Sequence, residues 1–193
     1  MYSDNRTEAV IRYYGPGETL PLLDTLTDIW ADAHPEKFGP GVIGAGGSPI
    51  EAFHCQVTGH LRQEGFSLVG AYASGTLIGF GYGFPCTPDY WFGSQLIDHV
   101  PEQARSTDRL VGICELAVRP PWQSQGIGTR LHAELLKALD PEWSSLLARP
   151  DNERGHALYR RLGYRYAGPY RNASGGPAFD LLLLHVAITT DGD

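Results

Sequence analysis

The alternation of apolar and polar positions divides the chain into a run of short elements. "RTEAVIRYY" alternates weakly, is rich in strand-forming residues and stops at Gly15-Pro16-Gly17, which predicts a strand closed by a turn. Between residues 18 and 33, Leu22, Leu26, Ile29 and Ala33 recur at helical spacing, with Asp24, Asp28 and Asp32 as a stripe on the far side, and Pro35 ends the helix. A glycine- and proline-rich connector, "KFGPGVIGAGGSP", leads to a second amphipathic helix marked by Ile50, Phe53, Val57 and Leu61 and closed at Gly65. Residues 66–84 read as a hairpin turning at Ser74-Gly75. Its second arm puts Ile78, Phe80, Tyr82 and Phe84 on one face and Gly79, Gly81 and Gly83 on the other. Something therefore lies almost against that backbone, either a closely packed helix or a bound ligand.

Residues 85–109, "PCTPDYWFGSQLIDHVPEQARSTDR", keep no sustained period and read as a long functional or mobile connection. Tyr90, Trp91 and Phe92 in it would cap a pocket, or anchor the loop to the core or to a second subunit. From "LVGICELAV" onward the order is strand, glycine turn, helix with Leu131, Leu135 and Leu139 in register, strand "SSLLAR", helix "NERGHALYRRL", then strands "YRYAG" and "AFDLLLLHV". No repeat or low-complexity segment interrupts this order.

Composition narrows the function classes. At 193 residues, 42% hydrophobic and 19% charged, the chain can bury one substantial core, and a single domain over 1–193 is expected. A formal charge of −7 argues against a nucleic-acid surface and leaves cationic small molecules or peptides as partners. The absence of an apolar run near the start, or of a bilayer-length one later, predicts a soluble, cytoplasmic protein. Cys55, Cys86 and Cys114 are odd in number, widely spaced and without C-x-x-C, so they read as small buried hydrophobes, and neither a disulfide framework nor a metal site is indicated.

"QSQGIGTRLH" raises a sharper question, because Gly126 and Gly128 sit where an otherwise sound helix begins. A strand that turns tightly into a helix exposes unsatisfied N–H groups carrying partial positive charge, which makes an anion site. The two glycines would let phosphate oxygens reach those groups, with Gln123, Ser124, Gln125 and Thr129 offering neutral contacts; the G-x-G alone would also suit an ordinary turn. Neither the dinucleotide fingerprint nor the P-loop fits, since Leu131 holds the third glycine position and G-K-[ST] is missing.

"QSQGIG" resembles the Q/R-x-x-G-x-G/A motif of the GNAT superfamily of acyl-CoA-dependent N-acetyltransferases, with an "ELAV" strand before it. "RPDNERGHALYRRLGYRYAG" is similar to that family's motif B, an asparagine opening a helix that carries a tyrosine and ends in L-G-Y/F. The resemblance implies an α/β fold, a mixed sheet of about seven strands with flanking helices and a V-shaped splay between strands 4 and 5. It implies that the backbone of Leu116, Ala117 and Val118 pairs with pantetheine and that Gln123, Ser124, Gln125, Gly126, Ile127, Gly128 and Thr129 cradle the pyrophosphate of acetyl-CoA. Asn152 and Tyr159 would face the acyl-thioester end.

Acetyl transfer to an amine needs a neutral nitrogen and a proton for the departing thiolate. Tyr159 is the candidate acid by resemblance, against a plain half-buried tyrosine. Glu115 interrupts an apolar strand and is either the base or the partner of a buried arginine. His132 and His156 read as exposed helical histidines, and the aspartate stripe as a solvated face that could help attract a cationic amine. The expected activity is acetyl transfer to a primary amine of a small molecule or peptide, by a monomer or homodimer; the rival is a coenzyme A-binding regulatory module without turnover. The acceptor itself is not legible, because 34–49, 85–109 and 168–177 carry no clear pattern.

Overall fold

The computed structural model describes residues 9–38, 48–171 and 176–186. Seven strands lie in the order β1-β2-β3-β4-β5-β7-β6: Val10–Tyr14 (β1), Ser67–Ala73 (β2), Thr76–Cys86 (β3), Leu110–Val118 (β4), Trp143–Ala148 (β5), Arg165–Arg171 (β6) and Ala178–His185 (β7). β4 and β5 run parallel, whereas β1 with β2, β5 with β7 and β6 with β7 are antiparallel. The mixed seven-stranded sheet agrees with the fold expected from the sequence. β4 and β5 stay in register only from Leu110↔Trp143 to Ile113↔Leu146, while β4 runs on to Val118 and β5 to Ala148.

The chain divides into two compact units, Met1–Tyr82 with Glu115–Leu135 and Gly83–Cys114 with Leu136–Asp193. In the first, the helical stretch expected over 18–33 is broken. A short α1 (Pro16–Thr19) passes through a 3₁₀ turn at Leu20–Leu22 into α2 (Leu23–Ala33), because Pro21 has no N–H to give to a continuous helix. α2 buries Leu26, Ile29 and Trp30. α3 (Pro49–His60) opens on a capping box, with Ser48 accepting from the Ile50 N–H and Glu51 accepting from the Ser48 N–H, and it buries Phe53 and Val57. The connector residues 39–47 lie outside the described residues.

The hairpin turns at Ser74 (φ 49°) and Gly75 (φ 79°), and the β3 residues Ile78, Phe80, Tyr82 and Phe84 are all buried. Opposite them, the neighbouring strand approaches more closely than the following helix. A Cβ at Gly79 would come within 2.9 Å of the Ala117 carbonyl oxygen, and one at Gly81 within 2.9 Å of a Leu116 methyl group, whereas Leu135 of the following helix stands 3.7 Å away. The glycines admit the neighbouring strand itself, a demand that hydrophobic periodicity does not encode.

In the second unit, the segment expected to be a loop over 85–109 is helical. α4 (Pro88–Leu96), a 3₁₀ turn (Ile97–His99) and α5 (Glu102–Ser106) fill it. Gly93, at φ 55° and ψ −172°, breaks α4 in the middle, so no single 3.6-residue phase survives across it. Phe92, Leu96, Val100 and Ala104 form one core with Leu110, Leu181 and Leu183. Trp91 donates its indole N–H to Ser145 Oγ at 2.8 Å, and its ring lies so close to Gly112 that a Cβ there would meet it at 2.3 Å. Of the three candidate pocket aromatics, Trp91 and Phe92 therefore anchor the segment, and Tyr90 is exposed. The cysteines also differ from expectation: Cys55 is exposed, while Cys86 and Cys114 are half-buried. Burial pushes the Cys86 thiol up to about 12.

Candidate functional site

After β4 the chain makes a 3₁₀ turn at Pro120–Trp122, takes left-handed geometry at Ser124 (φ 61°) and Gly126 (φ 84°), and enters α6 (Ile127–Leu139). The amides of Gln123 and Gln125 do not offer themselves outward as the sequence reading had them. Each donates to a backbone carbonyl of the turn, Gln123 to Val118 and Gln125 to Pro121, both at 2.8 Å. These bonds fix the loop's shape. Arg130 N–H gives the bond to the Gly126 oxygen at 3.0 Å, so the N–H groups of Ile127, Gly128 and Thr129 stand ahead of the helical ladder. A Cβ at Gly126 would meet nothing within 4 Å, leaving open space where an anion's oxygens can approach. The turn therefore fits a pyrophosphate.

His132, one turn further along α6, is 3% exposed rather than on the helix surface, because the buried stripe through Leu131 and Leu135 is wide enough to include it. Burial holds its pKa down at about 4. The unfolded chain then binds a proton that the folded one refuses between about pH 6.5 and 4, so stability falls as pH drops through that window. The loss amounts to roughly 3 kcal/mol at its limit. Urea titrations at pH 7 and pH 4.5 should show it, and His132→Leu should flatten the difference.

On β4, Glu115 is held by N–H donors rather than by the arginine considered from the sequence. Trp30 donates its indole N–H to Oε2 at 3.1 Å, and the Leu116 N–H reaches Oε1 at 3.3 Å. His34 faces the same carboxylate, with Nε2 3.8 Å from Oε1. Arg119 is engaged by Asp32, and His54 lies 3.8 Å from Asp24, so two members of the aspartate stripe have partners instead of being simply solvated. The Trp30 ring stacks on Phe53 at 4.6 Å and carries the Lys37 ammonium 4.7 Å from its centroid. Ala117 and Val118 are buried and Leu116 is half-buried.

The second unit carries the other expected residues on α7 (Glu153–Arg161). Asn152 is its N-cap, accepting the Gly155 N–H at 2.9 Å, and a Cβ on Gly155 would strike that amide at 2.5 Å. Tyr159 is half-buried, its ring edge-on to Tyr164 at 5.6 Å. Burial raises the Tyr164 phenol, which bonds Ser144 at 2.6 Å. His156 is half-buried too: its Nε2 lies 3.1 Å from the Arg149 carbonyl oxygen and 3.4 Å from Asp180. Among the described residues there is no group of three His, Cys, Asp or Glu able to hold a metal, and no helix is long and apolar enough to cross a membrane.

The family model for GNAT acetyltransferases matches residues 23–164. The chain belongs to the GNAT family of acetyltransferases. Solved structures similar to this GNAT acetyltransferase include the PaiA N-acetyltransferase of Thermoplasma acidophilum in complex with coenzyme A, at 14% identity over 93% of this chain and 99% of that one, TM-score 0.60. Another is the ribosomal-protein-S18-alanine N-acetyltransferase of Escherichia coli, at 17% identity over 95% and 97%, TM-score 0.61. Aminoglycoside 6'-acetyltransferase type Ii is 19% identical over 91% and 96%, TM-score 0.60. At these identities they share the fold. No curated protein sequence matches the chain.

As a GNAT acetyltransferase the chain is an enzyme whose acyl donor is acetyl-CoA. Two residues beside its candidate carboxylate escape a sequence reading, Trp30 and His34. Their signals are faint: a buried indole needs an acceptor, as a buried carboxylate needs donors, but nothing in spacing joins position 30 to position 115.

Proposed function

We propose that the chain acts as one N-acetyltransferase domain, transferring the acetyl group of acetyl-CoA to a primary amine of a small molecule or peptide by direct attack in a ternary complex. When bound, the cofactor supplies an electrophilic acyl carbon and a thiol leaving group. Ile127, Gly128 and Thr129 offer backbone N–H groups to its pyrophosphate, within the turn formed by Gln123, Ser124, Gln125 and Gly126, and Leu116, Ala117 and Val118 offer strand backbone to its pantetheine arm. Asn152 caps the helix that carries Tyr159, and the Tyr159 hydroxyl gives a proton to the departing sulfur.

The observation that carries the amine reading is the Glu115 carboxylate, only 15% exposed and held by two N–H donors with an imidazole as the facing group. Such a carboxylate can hold a substrate ammonium beside it by a charge-assisted hydrogen bond. The test is thioester consumption over a panel of amines, with free thiol as the readout. The wild type should turn over at least one amine, and a module that only binds coenzyme A would turn over none. Glu115→Gln should lower kcat/KM about 10²- to 10⁴-fold near pH 7, with the loss shrinking as pH rises toward the amine's own pKa near 10.4. Its melting temperature should change little, since the amide oxygen still accepts from Trp30. A variant of unaltered rate at pH 7 would take Glu115 out of the amine site.

A further inference from the structure

We propose that His34 takes the acceptor's proton, the substrate ammonium being held between His34 Nε2 and Glu115 Oε1; this rests on the amine-acetylation reading above. One hydrogen bond fixes the tautomer. His34 Nδ1 lies 2.9 Å from the Trp30 carbonyl oxygen, and a carbonyl only accepts, so Nδ1 carries the hydrogen. In the neutral ring the lone pair is then on Nε2, which stands 3.8 Å from Glu115 Oε1. Two acceptors facing each other at that distance are not bonded to one another. The gap suits a shared donor.

A primary ammonium has the matching pattern, since it can give one N–H to the carboxylate and one to the imidazole. Both side chains are reachable from outside, at 19% exposure for His34 and 15% for Glu115. Of the other charged groups on the packed elements, Lys37 lies on the Trp30 ring, Asp32 pairs with Arg119 and Asp24 faces His54, while Asp28 and Glu36 also belong to these elements.

The chemistry balances without a further reagent. An ammonium N–H bond breaks, its proton goes to Nε2, and the electron pair stays on nitrogen to attack the acyl carbon. As the new C–N bond forms and the C–S bond breaks, the second amine proton goes to solvent, and the sulfur takes the Tyr159 hydroxyl proton, which solvent then replaces. The imidazolium Nε2–H then points at Glu115 Oε1, which offsets its charge until solvent removes the proton.

Two measurements test this. Long-range ¹H–¹⁵N spectra read the tautomer without turnover: the signal missing from His34→Asn should be a neutral ring protonated at Nδ1, and a neutral ring protonated at Nε2 would overturn the proposal. In kinetics with an amine the wild type accepts, His34→Asn keeps a donor for the Trp30 carbonyl but loses Nε2. Its kcat/KM at pH 7 should fall about 10²- to 10⁴-fold, the defect should shrink toward pH 10, and acetyl-CoA should stabilise it as it does the wild type. Added imidazole should restore part of the rate of His34→Ala. A His34→Asn enzyme with the wild-type rate and pH profile, beside a crippled Glu115→Gln, overturns the role of His34 and leaves amine acetylation standing. A wild type that consumes no thioester with any amine overturns amine acetylation, and this proposal with it.

Discussion

Gly128→Asp should fold normally and gain no thermal stability from acetyl-CoA. The wild type, at a cofactor concentration about a hundred times Kd, should gain about 2.7 kcal/mol; the variant should gain nothing measurable under the same conditions. Gly128 is the second residue of α6, where a carboxylate complements the helix dipole, so the substitution favours the helix even as it blocks the turn. Its charge would occupy the place in front of the Ile127 and Thr129 N–H groups that the pyrophosphate needs, and would repel that anion besides. Loss of binding therefore cannot be put down to unfolding, which circular dichroism of the same sample verifies. A folded variant stabilised as fully as the wild type would mean that the turn is structural and the phosphates lie elsewhere.

Tyr159→Phe should lower kcat by about 10² to 10⁴ while leaving acetyl-CoA affinity nearly unchanged. Only the hydroxyl is removed, and the ring that meets Tyr164 edge-on at 5.6 Å is retained, so α7 should keep its packing. Leaving-group protonation predicts one further sign: a thioester with a more acidic thiol should suffer less from the substitution, because its thiolate departs with less help. Calorimetric titration and single-turnover rates on the same protein separate the binding and chemical parts. A variant with full kcat would show that the sulfur takes its proton from water.

Much of this was legible in the sequence because the relevant signals are local. The β4 strand, the glycine turn and α6 follow one another within thirty residues, and Asn152, Gly155 and Tyr159 share a single helix with its cap. What stayed hidden was set by residues distant in the chain. Glu115 could be read as a buried carboxylate in need of partners, but its donors come from Trp30 and its facing group is His34, more than eighty positions away. Periodicity likewise mistook α4 and α5 for a loop, since a glycine at φ 55° resets the helical phase after five residues. His132 looked like a surface histidine because a polar residue beside a leucine stripe is usually outside, and only the packed helix includes it in the buried face.

The contact of Trp91 with Gly112 reaches beyond this one molecule. A side chain cannot be added at 112 while the indole lies 2.3 Å from the point where its Cβ would stand, and a smaller residue at 91 would leave the glycine facing a void and Ser145 without its donor. Either position alone is therefore closed to change, but the two together are not. Lineages descended from this sequence should carry tryptophan opposite glycine, or a smaller residue opposite a larger one, and the mixed combinations should be the ones that selection removes.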